Sequence, residues 1–210
     1  GFYKNVIVLD FKSLYPSIIR TFKIDPLGLA EGLKEKDEAS ADLIPGFKGA
    51  WFSRDNHILP ELITNLWHQL DIAKSENDKA KSQAVKILMN SFYGVLGSGG
   101  CPFYDTRLAS SITMRGHWIM QQTAKWIEEK GLTVIYGDTD STFVLLDEVL
   151  NPDEAKAIGD SLAEFINSSW ALKLKKEFDI VCHLEIEFET LFSRFLMPTI
   201  RGSEQGSKKR

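Results

Sequence analysis

Two acids, Asp138 and Asp140, stand in a turn between two strand-forming apolar runs, Thr133-Val134-Ile135-Tyr136 and Thr142-Phe143-Val144-Leu145-Leu146. Runs this short, rich in β-branched and aromatic residues and joined by Gly137-Asp138-Thr139-Asp140, read as a β-hairpin. The hairpin then carries two like charges on a turn that its core strands hold rigid. Such a pair resists burial unless a cation offsets the repulsion. Asp-x-Asp alone is a weak signal, and an exposed polar turn is the plain alternative. The apolar flanks favour a rigid turn of the kind a metal site needs.

A third acid sits in a comparable place. Residues 5–10, Asn-Val-Ile-Val-Leu-Asp, read as a buried strand that ends on Asp10. A strand-end Asp can also be only a helix cap, and Pro16 suits the first turn of a short helix over 16–20. Residues 23–58 are expected to be irregular, punctuated by Pro26, Gly28, Gly32, Pro45 and Gly46. Two helical patterns follow, one on Leu59, Leu62, Ile63, Leu66, Trp67 and Leu70, the other on Ala84, Leu88 and Ser91. The polar stretch 74–79 divides them, which predicts an antiparallel helical hairpin. A long helix over 106–130 should stop at Gly131. After the acidic hairpin, 153–170 reads as a helix and 184–188 as a strand. Without the helical hairpin the order is β-α-β-β-α-β, which predicts an α+β, ferredoxin-like fold. In it the strand bearing Asp10 can lie beside the hairpin bearing Asp138 and Asp140.

Composition sets bounds on function. The chain has 210 residues, 43% hydrophobic and 26% charged, enough for one core with a small subdomain. Its apolar runs are too short to span a bilayer, and no secretory signal opens it. Cys101 and Cys182 form neither a metal spacing nor a disulfide framework and are expected to be buried thiols. Asn167-Ser168-Ser169 matches a glycosylation pattern that carries no meaning without secretion. A reducing, cytoplasmic setting fits. The net charge of −4 argues against a nucleic-acid binder. The distribution softens that objection, because 31–42 is acidic whereas Lys208-Lys209-Arg210 is basic. The chain opens directly before a strand and stops on that basic run, so a fragment of a larger protein is expected.

Asp10, Asp138 and Asp140 together suggest a hard-cation site. Magnesium prefers carboxylate oxygens, keeps waters and shares substrate phosphates, and two such ions can serve phosphoryl transfer. Backbone N–H groups in the turn at Ser13-Leu14-Tyr15 could hold a triphosphate. Tyr15 could equally be core packing or a flat wall under a sugar. Lys86, Asn90 and Tyr93 share one helical face and are followed by Gly94, a plausible nucleotide platform. A solvated surface Lys is the alternative for Lys86. Gly94, Gly97, Gly99 and Gly100 follow a helix and form no dinucleotide fingerprint.

These segments resemble the motifs of the family B DNA polymerases. Residues 10–19, Asp-Phe-Lys-Ser-Leu-Tyr-Pro-Ser-Ile-Ile, are similar to its motif A. Lys86-x-x-x-Asn90-Ser91-Phe92-Tyr93-Gly94 is similar to motif B, and Tyr136-Gly137-Asp138-Thr139-Asp140-Ser141 to motif C. Lys208-Lys209-Arg210 resembles the start of the basic motif that grips primer duplex. The text around Arg20-Thr21-Phe22 and over 197–210 is most similar to bacterial members. The resemblance spans the whole chain.

It implies a DNA-templated DNA polymerase of replication or repair. Residues 1–58 and 95–210 would be a palm, and 59–94 the fingers hairpin. Catalysis would fall to Asp10, Asp140 and Lys86. The metal ligands would be Asp10, Asp140, the Phe11 carbonyl and, secondarily, Asp138, holding two Mg2+ ions for which Mn2+ could substitute. Ser13, Leu14, Tyr15, Lys74, Lys86 and Asn90 would bind the deoxynucleotide, with Tyr15 as a steric gate against ribose. Tyr93, Gly94, Thr139, Lys208, Lys209 and Arg210 would contact DNA. Glu189 would be a peripheral palm carboxylate or an ordinary surface Glu. Implied partners are primer–template DNA, a deoxynucleoside triphosphate and a sliding clamp bound through other regions, in the cytoplasm at the bacterial nucleoid, with no membrane. The family pattern places an Arg four residues before Lys74, where Leu70 stands, which puts one phosphate contact in question. Two rival readings are a metal-dependent glycosyltransferase, which also uses Asp-x-Asp but does not need Lys86, Asn90 and Tyr93 on one face, and a non-catalytic palm scaffold.

Overall fold

The computed structural model describes residues 1–35, 42–146 and 151–197. Twelve elements follow in order: β1 (Phe2–Phe11), α1 (Leu14–Phe22), α2 (Pro26–Glu35), β2 (Leu43–Pro45), β3 (Trp51–Ser53), α3 (Leu59–Ser75), α4 (Lys79–Leu96), α5 (Thr106–Glu129), β4 (Thr133–Asp138), β5 (Ser141–Leu145), α6 (Pro152–Phe178) and β6 (Ile186–Leu196). The chain mixes helices with an antiparallel sheet of strand order β4-β5-β1-β6. It divides into two compact units. The first holds Gly1–Lys12, His117–Leu172 and Glu185–Arg210, and the second Ser13–Gly116 and Lys173–Leu184.

In the first unit β1 lies between β5 and β6. Val6, Ile7, Val8 and Leu9 are buried in succession, as befits a strand covered on both faces. Ile7 pairs with Val144 and Leu191, and Asp10 with Ser141 and Glu187. Helix α6 packs closely on β6: a Cβ at Gly159 would stand 2.3 Å from the Phe188 ring, and Asn167 exchanges two 2.9 Å hydrogen bonds with the Ile186 backbone. Trp118, Trp126 and the buried Trp170 meet edge to face, and the Trp170 indole donates to the Thr123 hydroxyl at 3.0 Å. That bond satisfies a polar group the core would otherwise strand.

The second unit departs from the irregular stretch expected over 23–58. Helix α2 forms there despite Gly28 and Gly32, and β2 pairs with β3. Gly32 is required by contact, since a Cβ would stand 2.2 Å from the Trp51 carbonyl oxygen. The Asp25 carboxylate supplies the capping that the sequence pattern conceals. It accepts from the backbone N–H of Gly28 at 2.8 Å, and from those of Ile58 and Leu59 at 3.1 and 2.6 Å. One buried acid thus serves the N-termini of α2 and α3, where the helix dipole also favours negative charge. Arg115 is enclosed by the rings of Phe22, Phe47 and Phe178 and donates to the Pro45 carbonyl at 2.7 Å.

Three boundaries also differ. Helix α4 runs through Gly94 to Leu96, α6 continues past Trp170 to Phe178, and β6 extends to Leu196. The last eight residues of α6 are good helix formers with an i,i+4 pair, Lys173 to Glu177, at 2.5 Å. Most of β6 reads as weak strand alone and is held by its pairing with β1. Helices α3 and α4 meet through the turn at Glu76-Asn77-Asp78, where Asp78 caps α4 by accepting from Lys81 N–H. Cys101 and Cys182 are free and half-buried rather than buried. Among the described residues no helix is long and apolar enough to cross a membrane.

Replacing Asp25 by Ala leaves three backbone donors without their acceptor. The change is expected to cost roughly 3 kcal/mol of stability, with Asp25→Asn losing less. Urea unfolding checks it: the midpoint should fall at unchanged slope, and an unaltered midpoint would show that the carboxylate does not hold these helices.

Candidate active site

Within the first unit, the pairing of β1 with β5 sets Asp10 opposite Ser141, and the Phe11 N–H donates to the Asp140 carbonyl at 2.9 Å. The Ser141 hydroxyl donates to Asp10 Oδ1 at 2.6 Å. Asp138 closes β4 opposite Ser141 and is exposed. Phe11 is buried under the same strand end. Thr139 lies exposed at the tip of the turn, its N–H bonded to Asp138 Oδ1 at 3.0 Å.

Electrostatics single out the pair Asp10 and Asp140. Burial pushes the Asp10 carboxyl up, and the charge of Glu187 adds to the rise while the Ser141 hydrogen bond opposes it. Burial also lifts Asp140, and repulsion from Asp10, Asp138 and Glu189 lifts it further. Glu189 sits at a register irregularity of β6, between Phe188, which pairs with Leu9, and Thr190, which pairs with Val8. Its charge therefore reaches Asp140, a link that the sequence leaves open. Neither Ser141 nor Glu187 stands out by spacing; their parts follow only from strand pairing. Lys12 offsets some of this charge, bridging Glu185 at 2.6 Å and Glu187 at 3.0 Å.

The donor set consists of hard carboxylate oxygens carrying excess negative charge, which suits Mg2+. Among the described residues, however, no three His, Cys, Asp or Glu side chains are gathered closely enough to hold a metal ion alone. The expected group of Asp10, Asp138 and Asp140 is therefore not assembled as a three-carboxylate cage.

Ser13, Leu14, Tyr15, Lys74, Lys86, Asn90, Tyr93 and Gly94 lie in the second unit. Ser13 takes a left-handed conformation, φ 44°, as the N-cap of α1, a strained turn for a residue with a Cβ. Leu14 is buried. The Tyr15 ring packs against Tyr93 of α4 at 4.7 Å between centroids and lies 3.3 Å from where a Cβ would stand at Gly116. Lys86 and Asn90 are exposed on α4, on the face that also carries Tyr93. Around Gly94 no described atom comes within 4 Å of a Cβ position, so nothing within the unit requires glycine there. Lys74 is exposed near the end of α3, whereas Leu70 is 2% exposed, part of the unit's core. Position 70 thus offers a buried apolar side chain where the family pattern has an Arg. Lys208, Lys209 and Arg210 lie outside the described residues.

Raised carboxyls make the native chain hold protons that the unfolded chain has already released. Stability therefore falls as pH rises from the ordinary value of 3.8 through the raised ones, and stays lower above them. Removing one charge by Asp140→Asn is expected to raise Tm at pH 7 in EDTA by roughly 2 °C, allowing for solvent screening of a half-exposed group. Calorimetry at pH 7 and pH 3 checks this: the gain should disappear at the lower pH, and equal Tm values at pH 7 would contradict an uncompensated pair.

Comparison with known proteins places the chain in a family. The family model described as DNA polymerase family B matches residues 1–199. DNA polymerase II of Escherichia coli K12 is 58% identical over 211 aligned residues, covering all of this chain and 26% of that protein. The DNA polymerase of Thermococcus gorgonarius is 31% identical over 193 residues, covering 85% of the chain and 24% of that protein. Among solved structures, the family B DNA polymerase of Pyrobaculum calidifontis matches with a TM-score of 0.65 at 24% identity, over 92% of this chain and 24% of the other, and so shares its fold. The chain thus spans about a quarter of the length of the bacterial relative, and it belongs to DNA polymerase family B.

Proposed function

We propose that this chain carries the nucleotidyl-transfer centre of a DNA-templated DNA polymerase. The primer 3′-hydroxyl attacks the α-phosphorus of a deoxynucleoside triphosphate, a new phosphodiester bond forms, and the bond to pyrophosphate breaks. The observation that carries the reading is the convergence of Asp10 and Asp140 at one end of a buried sheet, each raised by burial and Asp140 by the charge of its partner. A divalent cation is the natural relief for such a pair. The antiparallel order β4-β5-β1-β6 supports a ferredoxin-like palm, and the α3–α4 hairpin supports inserted fingers. By role, the palm would be 1–58 with 95–210 and the fingers 59–94, a division distinct from the two compact units.

Asp10, Asp140 and the Phe11 carbonyl would hold two Mg2+ ions, Asp138 acting from further out and Mn2+ serving as a substitute. When bound, such ions activate the attacking hydroxyl and stabilise the leaving oxygen. The chain's own residues do the rest. The Ser141 hydroxyl engages Oδ1 of Asp10 and so orients the other oxygen. The turn at Ser13 and the first turn of α1 would receive triphosphate oxygens. Lys86 and Asn90, exposed on α4, would reach the triphosphate, with Lys74 more distant. Tyr15, steadied by Tyr93, would lie under the sugar, and Gly94 would admit the base pair beside Tyr93. Thr139 and the basic 208–210 run would meet primer–template DNA. A sliding clamp, a nucleoid setting and a part in replication or repair belong to the same reading.

Asp140→Asn in the polymerase carrying this region is expected to reduce single-turnover incorporation by roughly 10²–10³-fold or more, without lowering Tm. Mg2+ is expected to raise the Tm of the wild type and to leave that of the variant unchanged. Retained incorporation would place the chemistry elsewhere. Lys86→Ala should raise KM for the deoxynucleotide about tenfold, the scale of one charge-assisted hydrogen bond. Unchanged pre-steady-state kinetics would remove Lys86 from the site. Tyr15→Ala should lower the deoxynucleotide-to-ribonucleotide ratio of kcat/KM by roughly 10–200-fold, whereas Tyr15→Phe keeps the ring and should keep the ratio. If the ratio survives Tyr15→Ala, Tyr15 is packing alone.

A further inference from the structure

The second unit contains a cavity of about 340 Å3 lined by Lys23, Ile44, Arg54, Asp179, Ile180, Val181 and His183. Its size falls at the lower end of the ~300–1,000 Å3 range of small-ligand sites. Its charge is unusual for a chain of net charge −4.

Lys23 caps the C-terminus of α1 in a left-handed conformation, φ 54°. It is half-buried and has no ion pair among the described residues. Burial lowers its pKa and the nearby Arg20 lowers it further, with Glu61 compensating only in part. His183 is held in place through its backbone N–H, which donates to the Thr21 hydroxyl at 3.0 Å. Burial, then Arg20 and Lys23, push its imidazole down to about 4. Arg54 is anchored by donating to the carbonyls of Phe178 at 2.7 Å and Asp179 at 3.2 Å, at the C-terminal end of α6.

Acids cancel this cluster only in part. Asp179 lines the cavity and its charge acts on Arg54, but it is also ion-paired to Lys175. Asp71 acts on Arg20, which bonds the Thr64 hydroxyl at 3.1 Å and stacks on Trp67. A lysine without an ion pair among the described residues, an anchored guanidinium and an imidazole kept neutral by burial and by adjacent cations make a cavity that an anion would complete. Arg54 is held beforehand by its two carbonyl acceptors and the His183 backbone by Thr21, which lowers the reorganisation that binding requires. The buried side chains of Ile44 and Ile180 in the lining lower the local dielectric and so strengthen each charge there.

We propose that this cavity is a phosphate-binding site, separate from the carboxylate pair of the first unit. Its ligand is a phosphate group, carried either by free inorganic phosphate or by the backbone of a single DNA strand. Lys23 and Arg54 supply the charge and hydrogen bonds, and His183 becomes a third donor when the bound anion draws a proton onto it. Binding therefore takes up a proton near His183 and tightens as pH falls.

The test follows the His183 ring by proton NMR in the wild-type chain, without divalent metal, its signal identified among the four histidines by His183→Gln. The ring is titrated with pH alone, with inorganic phosphate, and with a short single-stranded DNA oligonucleotide. The expected result is a rise in the His183 pKa of about one pH unit or more. That rise should be lost in Lys23→Gln, which circular dichroism should show folded. A rise with phosphate alone identifies the free ion as sufficient, and a rise only with the oligonucleotide identifies the DNA backbone. A His183 titration unmoved by both ligands overturns the proposal. So does a shift that persists unchanged in folded Lys23→Gln.

Discussion

Pairing of β1 on both sides is the constraint on which the first unit depends. Val6 to Leu9 are buried without interruption, and β5 and β6 flank them. A slip of one residue would turn each of these side chains to the other face, so the apolar run and the two ladders together lock the register. Asp10, one residue beyond the run, cannot avoid its place opposite Ser141 and Glu187. The favourable burial of the sheet therefore holds carboxylates where their own electrostatics oppose them. The Ser141 hydroxyl orients Asp10 without cancelling its charge.

The second unit shows the opposite polarity. Its Asp25 is fully engaged by backbone donors of two helices, and Arg115 is enclosed by three aromatic rings. Around Lys23 and His183, by contrast, cations crowd one another. A net charge of −4 averages over these two environments and describes neither. The local imbalances carry the information, because strongly perturbed charges mark candidate sites for ligands of opposite charge.

Much of the architecture is legible along the chain. The acidic hairpin, the helical pair and the long helix before Gly131 follow from periodicity and turn chemistry, because each of those signals is local. Helix α2 is not legible, since Gly28 and Gly32 look like breakers. Gly32 is there for its close approach to Trp51, and Asp25 caps from outside the helix. The continuation of α6 and β6 is equally hidden. Phe178 meets Phe22 from a distant part of the chain, and β6 owes its length to β1 rather than to its own alternation.

For the site, the sequence alone determined which residues carry charge or bulk at the right spacing: Asp10, Asp138 and Asp140 at strand ends, and Lys86, Asn90 and Tyr93 along one helical face. Side-chain chemistry and helical or strand period are properties of neighbouring residues, so no tertiary information is needed to find them. Only the tertiary structure decided that Ser141 bonds Asp10, that Glu187 and Glu189 press on the carboxylate pair, that Tyr15 rests on Tyr93, and that His183 lies among Arg20 and Lys23. The reason is physical: burial and Coulomb interaction depend on distance in space, and those partners come from segments that chain order keeps far apart.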